Sequence, residues 1–170
     1  YQQPADIENF KFPSLMGSNF ICSDTFDEDN VELEAFKRKG KRFNYILGNP
    51  PWQRGRVERE PGGKKKMPLY ERYLKAHKKD KIVGNKELAQ AFVVRSLDFA
   101  SADTRFAFIL PSKVLYNINM KSQNFRHFML DNMLIEQVFE LAPVRKEVFD
   151  RSNDPAVAPA CMLFYRFSEG

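Results

Sequence analysis

The chain has 170 residues, a formal charge of +5, 43% hydrophobic residues, 16 Phe and 6 Tyr: enough apolar material for one folded domain and too much for wholesale disorder. Two cysteines, Cys22 and Cys161, cannot staple a fold of this size and fit a reducing compartment, and no CxxC or Cys/His cluster offers a structural metal site. No apolar run reaches the ~18 residues that span a bilayer, no signal-peptide pattern is present, and the absence of any Gly-x-Gly excludes a dinucleotide fingerprint or phosphate loop.

Residues 1–18 show no clear period, and the chain begins at Tyr1 rather than Met, which reads as an excised piece. Residues 19–22 read as a short strand ending at Ser23-Asp24. Asn30 is placed to cap a helix running to about residue 39, with Glu32 and Glu34 in its first turns and Gly40 as its stop. Residues 43–47 form an apolar, β-like run that breaks off at Gly48-Asn49-Pro50-Pro51. A basic helix is expected over 70–79. Residues 86–100 carry the clearest helical period, with Leu88, Phe92, Ser96 and Phe99 on one face and Val93 and Leu97 widening it. Residues 106–110 read as a buried strand stopped by Pro111. Ser122 then caps a helix to Asn132 that buries Phe125, Phe128 and Met129, and residues 134–141 and 160–167 read as two further strands. Alternating strands and helices with continuous apolar runs predict an α/β fold whose sheet is mostly parallel, with helices on both faces.

The positive charge is concentrated. Residues 53–86 hold twelve Lys or Arg against four acids, net +8, which leaves −3 for the rest of the chain. The centre of this insert (about 53–85), Glu60-Pro61-Gly62-Gly63-Lys64-Lys65-Lys66, has the composition of a mobile loop. Such a patch suits a phosphate backbone, although a lone lysine run is more often a solvated surface.

Gly48-Asn49-Pro50-Pro51-Trp52 follows directly on the 43–47 run. In open α/β sheets ligands bind beyond the carboxyl ends of strands. Two prolines fix φ and remove two donors, so the loop is stiff and presents acceptors: the Asn49 side-chain oxygen and backbone carbonyls. Trp52 adds a flat aromatic face. A planar heterocycle with an exocyclic amino group fits this set, its two N–H groups on the acceptors and its ring on the indole, a stack worth about 1–3 kcal/mol.

Phe43–Trp52 (FNYILGNPPW) resembles the catalytic motif of amino-methylating, S-adenosylmethionine-dependent DNA methyltransferases, and more narrowly the N6-adenine DNA methylases of restriction–modification systems. Further matches fall in that family's order: Phe-Ala-Phe-Ile-Leu-Pro at 106–111 with Ser112-Lys113-Val114-Leu115 behind it, then Lys146-Glu147-Val148-Phe149 and the strand at 156–167. Ser23-Asp24 resembles the position beside the cofactor's adenine.

The resemblance implies a partial Rossmann-like methyltransferase fold with an antiparallel last strand. It implies catalysis by Asn49, Pro50, Pro51 and Trp52, with Trp52 and Phe149 sandwiching a base flipped from double-stranded DNA. It puts Asp24, Gly48 and Asn49 at S-adenosylmethionine, with no metal. Arg54, Arg56 and Arg59, and more weakly Lys64, Lys65 and Lys66, would meet DNA phosphate. The family's Gly-rich cofactor loop and the acid on its next strand are absent upstream of Asn49, so residues 1–170 read as the catalytic and downstream half of one domain. The missing cofactor half, a target-recognition region and a possible endonuclease would be the rest of the same polypeptide, in a bacterial or archaeal cytoplasm. Methylation of a protein glutamine or an RNA base uses the same acceptor pair and is an alternative, as is a DNA-binding module with a relict motif.

Overall fold

The computed structural model describes residues 19–38, 43–53, 58–59, 63, 65–78, 82–144, 147–148 and 158–167. In chain order the elements are α1 (Val31–Arg38), β1 (Tyr45–Gly48), β2 (Glu58–Arg59), β3 (Lys65–Lys66), α2 (Leu69–Ala76) and α3 (Leu88–Ser96). They continue with β4 (Arg105–Pro111), α4 (Lys113–Tyr116), α5 (Met120–Asn132), β5 (Met133–Glu140) and β6 (Ala160–Phe167).

The main sheet has the order β1-β4-β6-β5. β1 and β4 pair in parallel, whereas β6 is antiparallel to both β4 and β5. The expected antiparallel last strand is present, but the sheet as a whole is not mostly parallel. Apolar runs report burial, not direction. Direction is set by the connections: helices carry the chain from β1 to β4 and from β4 to β5, so these three strands run the same way. From β5 to β6 the described residues include a 3₁₀ turn, Ala142–Val144, and two helical residues, Glu147 and Val148, and β6 runs antiparallel to β5.

One face of the sheet carries the core. Phe106, Phe108 and Leu110 of β4 lie opposite Tyr165, Leu163 and Cys161 of β6, and the Phe106 and Tyr165 rings stack at 4.6 Å. Tyr73 of α2, Val93 and Val94 of α3, and Phe125 and Met129 of α5 join the same cluster. On the other face Tyr45, Leu47 and Phe139 remain at least half exposed, so the expected cover of helices on both faces is not found among the described residues.

Local signals place most elements, with informative departures. Asn30 caps α1, its side-chain oxygen accepting the Leu33 N–H at 2.9 Å. α5 starts earlier than expected: Asn119 is the cap and accepts the Ser122 N–H, while Ser122 is buried. Residues 19–22 form no strand; Phe20 makes one isolated bridge and stays exposed, with no strand beside it among the described residues. β4 stops at Pro111, as expected, with Pro111 itself the last paired residue, opposite Ala160. α3 is buried nearly all round rather than along one stripe, and Leu88 and Phe92, expected in the core, are only half-buried. The basic insert, expected as a loop, forms a short hairpin of β2 and β3, with Gly63 at φ +81° in its turn region. No described helix is long and apolar enough to cross a membrane.

Candidate functional site

The Asn49-Pro50-Pro51-Trp52 loop leaves the carboxyl end of β1. Pro50 is buried, whereas Asn49 is exposed and available as an acceptor. Gly48 is paired with Phe108 across the parallel ladder, and a Cβ on Gly48 would lie 2.9 Å from the Phe108 ring. Glycine is required there so that the ring can cover the strand end. The half-buried Trp52 indole N–H donates to the Ile109 carbonyl of β4 at 3.3 Å, which holds the aromatic plate against the neighbouring strand. The loop exit is held by the Leu88 N–H, which donates to the Gln53 carbonyl at 3.3 Å.

Two cavities flank this loop. The larger, about 640 Å³, is lined by Asp24, Phe26, Gln53, Lys66 and Tyr70 among others; the smaller, about 360 Å³, has Gly48, Asn49 and Pro50 in its wall together with Phe99 and Phe108. Thr25, Pro51 and Phe92 line both, so the two spaces abut at the loop. Both volumes lie in the range of small-molecule sites. Two ligands could therefore meet across Pro51, as a group transfer requires.

Asp24, 25 residues before Asn49 in the sequence, is brought to the same site. Its Oδ1 accepts the Phe26 N–H at 2.8 Å, which turns the chain so that Phe26 enters the core and the exposed carboxylate stays at the cavity. The Tyr70 phenol in the same wall is pushed up to about 12 by burial and by the Glu71 carboxylate that accepts its hydrogen, so it remains a donor at neutral pH.

Sequence reading missed the group that anchors this wall. Arg95 has a fully buried side chain. Its guanidinium donates to the Thr25 carbonyl at 2.8 Å, to Glu34 at 2.7 Å and to Asp98 at 2.8 Å, and lies over the Tyr73 and Phe99 rings. Tyr73 adds a hydrogen bond to Asp98 at 2.7 Å. One side chain thus ties α1, α3 and the Asp24-Thr25 turn together. The available signal was an arginine directly after the apolar stretch Ala91-Phe92-Val93-Val94, which demands a buried acid.

Of the expected phosphate contacts, Lys66 is exposed and borders the larger cavity. Arg59 and Lys65 face each other in the hairpin register. Arg54, Arg56 and Lys64 lie outside the described residues, as does Phe149, the expected second stacking ring; its neighbour Val148 is exposed. Among the described residues no three His, Cys, Asp or Glu side chains gather as a metal site.

No curated protein matches the chain. Among solved structures, a modification subunit assigned to a type I restriction enzyme from Vibrio vulnificus YJ016 aligns with a TM-score of 0.49 at 17% identity, over 76% of this chain and 24% of that one. This chain therefore spans about a quarter of that subunit's length. The sequence profile of the Eco57I restriction-modification methylase family matches residues 5–149, a span that contains the Asn-Pro-Pro-Trp loop, Asp24 and the basic insert. The chain belongs to the Eco57I restriction-modification methylase family.

Proposed function

We propose that the intact protein is a site-specific DNA methyltransferase acting on the N6 amino group of adenine in a restriction–modification system. On this reading the present chain is the catalytic and downstream half of its methyltransferase domain, working in the cytoplasm of a bacterium or archaeon. The observation that carries the reading is the position of the Asn49-Pro50-Pro51-Trp52 loop: at a strand's carboxyl end, stiff, anchored on β4 through Trp52, with Asn49 and Pro50 in the wall of one cavity and Pro51 in the walls of both. Family membership supports a methylase.

The adenine amino nitrogen is a poor nucleophile because its lone pair is delocalised into the ring. Acceptance of its two hydrogens by Asn49 Oδ1 and the Pro50 carbonyl favours a more tetrahedral, electron-rich nitrogen, a stabilisation by fixed dipoles. The base is reached by flipping it from the duplex. Trp52, with Phe149 on the other side, offsets the lost stacking. Arg54, Arg56, Arg59, Lys64, Lys65 and Lys66 would hold the backbone.

Of the residues that would hold S-adenosylmethionine, the exposed carboxylate Asp24 borders the larger cavity, whereas Gly48 and Asn49 border the smaller one, where Asn49 would meet the base. When bound, that cofactor supplies an electrophilic methyl group. Three strands run the same way, and β1 is the outer strand of the described sheet, with Tyr45 and Leu47 largely exposed. That edge supports a partial Rossmann-like fold to which strands of a cofactor half would add.

The test supplies the full-length protein with tritiated S-adenosylmethionine and DNA, RNA or protein, and identifies the product nucleoside by mass spectrometry. N6-methyladenine in DNA, abolished by Asn49→Ala, is expected. Label in cytosine, RNA or protein, or full activity of the variant, refutes the assignment.

A further inference from the structure

The stretch from Tyr116 to Met120 joins α4 to α5 just beyond the carboxyl end of β4. Its three large side chains point outward: Tyr116 is 62%, Ile118 86% and Met120 75% exposed. Single exposed apolar residues are common on surfaces, but three clustered on one short loop mark a contact site.

The backbone beneath them is stiff. Asn117 Oδ1 accepts the Asn119 N–H at 3.2 Å and its side-chain amide at 2.8 Å. Gln123 donates to the Ile118 carbonyl at 2.8 Å, and the Asn117 N–H donates to the Lys113 carbonyl at 3.0 Å. Behind the loop, the Glu140 carboxylate accepts from Ser112 Oγ at 2.7 Å and the Ala142 N–H at 3.0 Å. Ile118 is therefore presented on a fixed support.

The loop leaves the same sheet edge as the Asn49 loop, because β1 and β4 are parallel neighbours. Contacts link the two: Lys113 pairs with Glu87 at 2.7 Å, and the adjacent Leu88 N–H bonds the Gln53 carbonyl. Lys113 and Lys121 are exposed at the loop's two ends. The nearby acids are engaged, Glu87 by Lys113 and Glu140 by its hydrogen bonds. With Lys113 paired to Glu87, Lys121 is the ammonium group offered beside the apolar tip, and the two together are complementary to an opened base step and its adjoining phosphate.

On the reading that this protein methylates a base flipped from duplex DNA, we propose that Ile118 and Met120 form a wedge. It enters the stack beside the target nucleotide, with Lys121 on the adjoining phosphate. A wedge is needed only while the target base is paired, and the test uses that.

The full-length protein, its methylated site mapped by sequencing, is assayed under single turnover on two duplexes. In one the target base is paired; in the other it faces an abasic site, where extrusion costs little. Ile118→Ala is expected to slow methylation of the paired duplex about tenfold or more, and to come within about twofold of the unaltered protein on the abasic one. Ile118→Leu keeps the bulk and is expected to behave as the unaltered protein on both. Equal loss on both duplexes, or no loss on either, overturns the wedge. Failure of the unaltered protein to methylate either duplex overturns the DNA reading itself, and the wedge with it.

Discussion

Replacing Arg95 by Met tests how the site's wall is held. The change removes a fully buried guanidinium that binds Glu34, Asp98 and the Thr25 carbonyl, all at 2.7–2.8 Å. Breaking a buried ionic network by removing one member costs about 3–5 kcal/mol, because the remaining charges are left buried. Here Glu34 keeps Lys37 at 2.7 Å and Asp98 keeps the Tyr73 hydroxyl at 2.7 Å, so the lower end, about 3 kcal/mol, is expected. For a chain of this size that is a fall in melting temperature of roughly 6–12 °C.

The loss should also depend on pH. Burial alone would raise the Glu34 carboxyl, but hydrogen bonds from Lys37 and Arg95 outweigh it and hold the group below its ordinary value. A depressed carboxyl contributes stability above its unfolded pKa, about 4.3, and loses it as pH falls through the lower folded value. Without Arg95 burial gains weight, and protonation relieves the buried carboxylates. The gap between the two proteins should therefore narrow in acid. Urea unfolding between pH 3 and 7 measures this. A variant within about 0.5 kcal/mol of the parent at pH 7, or a gap that widens in acid, would refute the reasoning.

Gly48→Ala sets a methyl 2.9 Å from the buried Phe108 ring and should cost about 1–3 kcal/mol, read as a lowered melting temperature; Phe108→Leu in the same chain should recover part of it. Trp52→Phe keeps a stacking face but loses the donor to Ile109, so methyl transfer should fall modestly, and Trp52→Ala should lose far more; equal rates for the two would remove the indole from the site. A thiol reagent should label exposed Cys22 promptly and leave Cys161 unmodified until unfolding, since Cys161 is fully buried and burial pushes its thiol up to about 11; labelling of both in the native protein would contradict the packing.

Much of the helical content was legible because local chemistry dictates it. Asn30 followed by two glutamates starts α1, and the apolar spacing of Phe125, Phe128 and Met129 marks α5. Asn119 was overlooked as the cap in favour of Ser122, since both suit the role and only the backbone geometry chooses between them. Strand direction was not legible. Cys161, Leu163 and Tyr165 are apolar at alternate positions whichever way β6 runs, and only the pairing, not composition, shows that it lies antiparallel between β4 and β5.

The sequence by itself determined the chemistry offered: a Gly-Asn-Pro-Pro-Trp loop after a strand, stiff because proline geometry is local, beside a stretch of net charge +8. Only the tertiary structure decided what that loop faces. It brought Asp24 and Pro51 to one cavity, anchored Trp52 on β4, and enclosed Arg95 between Glu34 of α1 and Asp98 of the 3₁₀ turn that follows α3. It also left Ile118 projecting beside the strand ends. These arrangements depend on contacts between residues far apart in the chain, and the periodicity of any one segment carries no record of them.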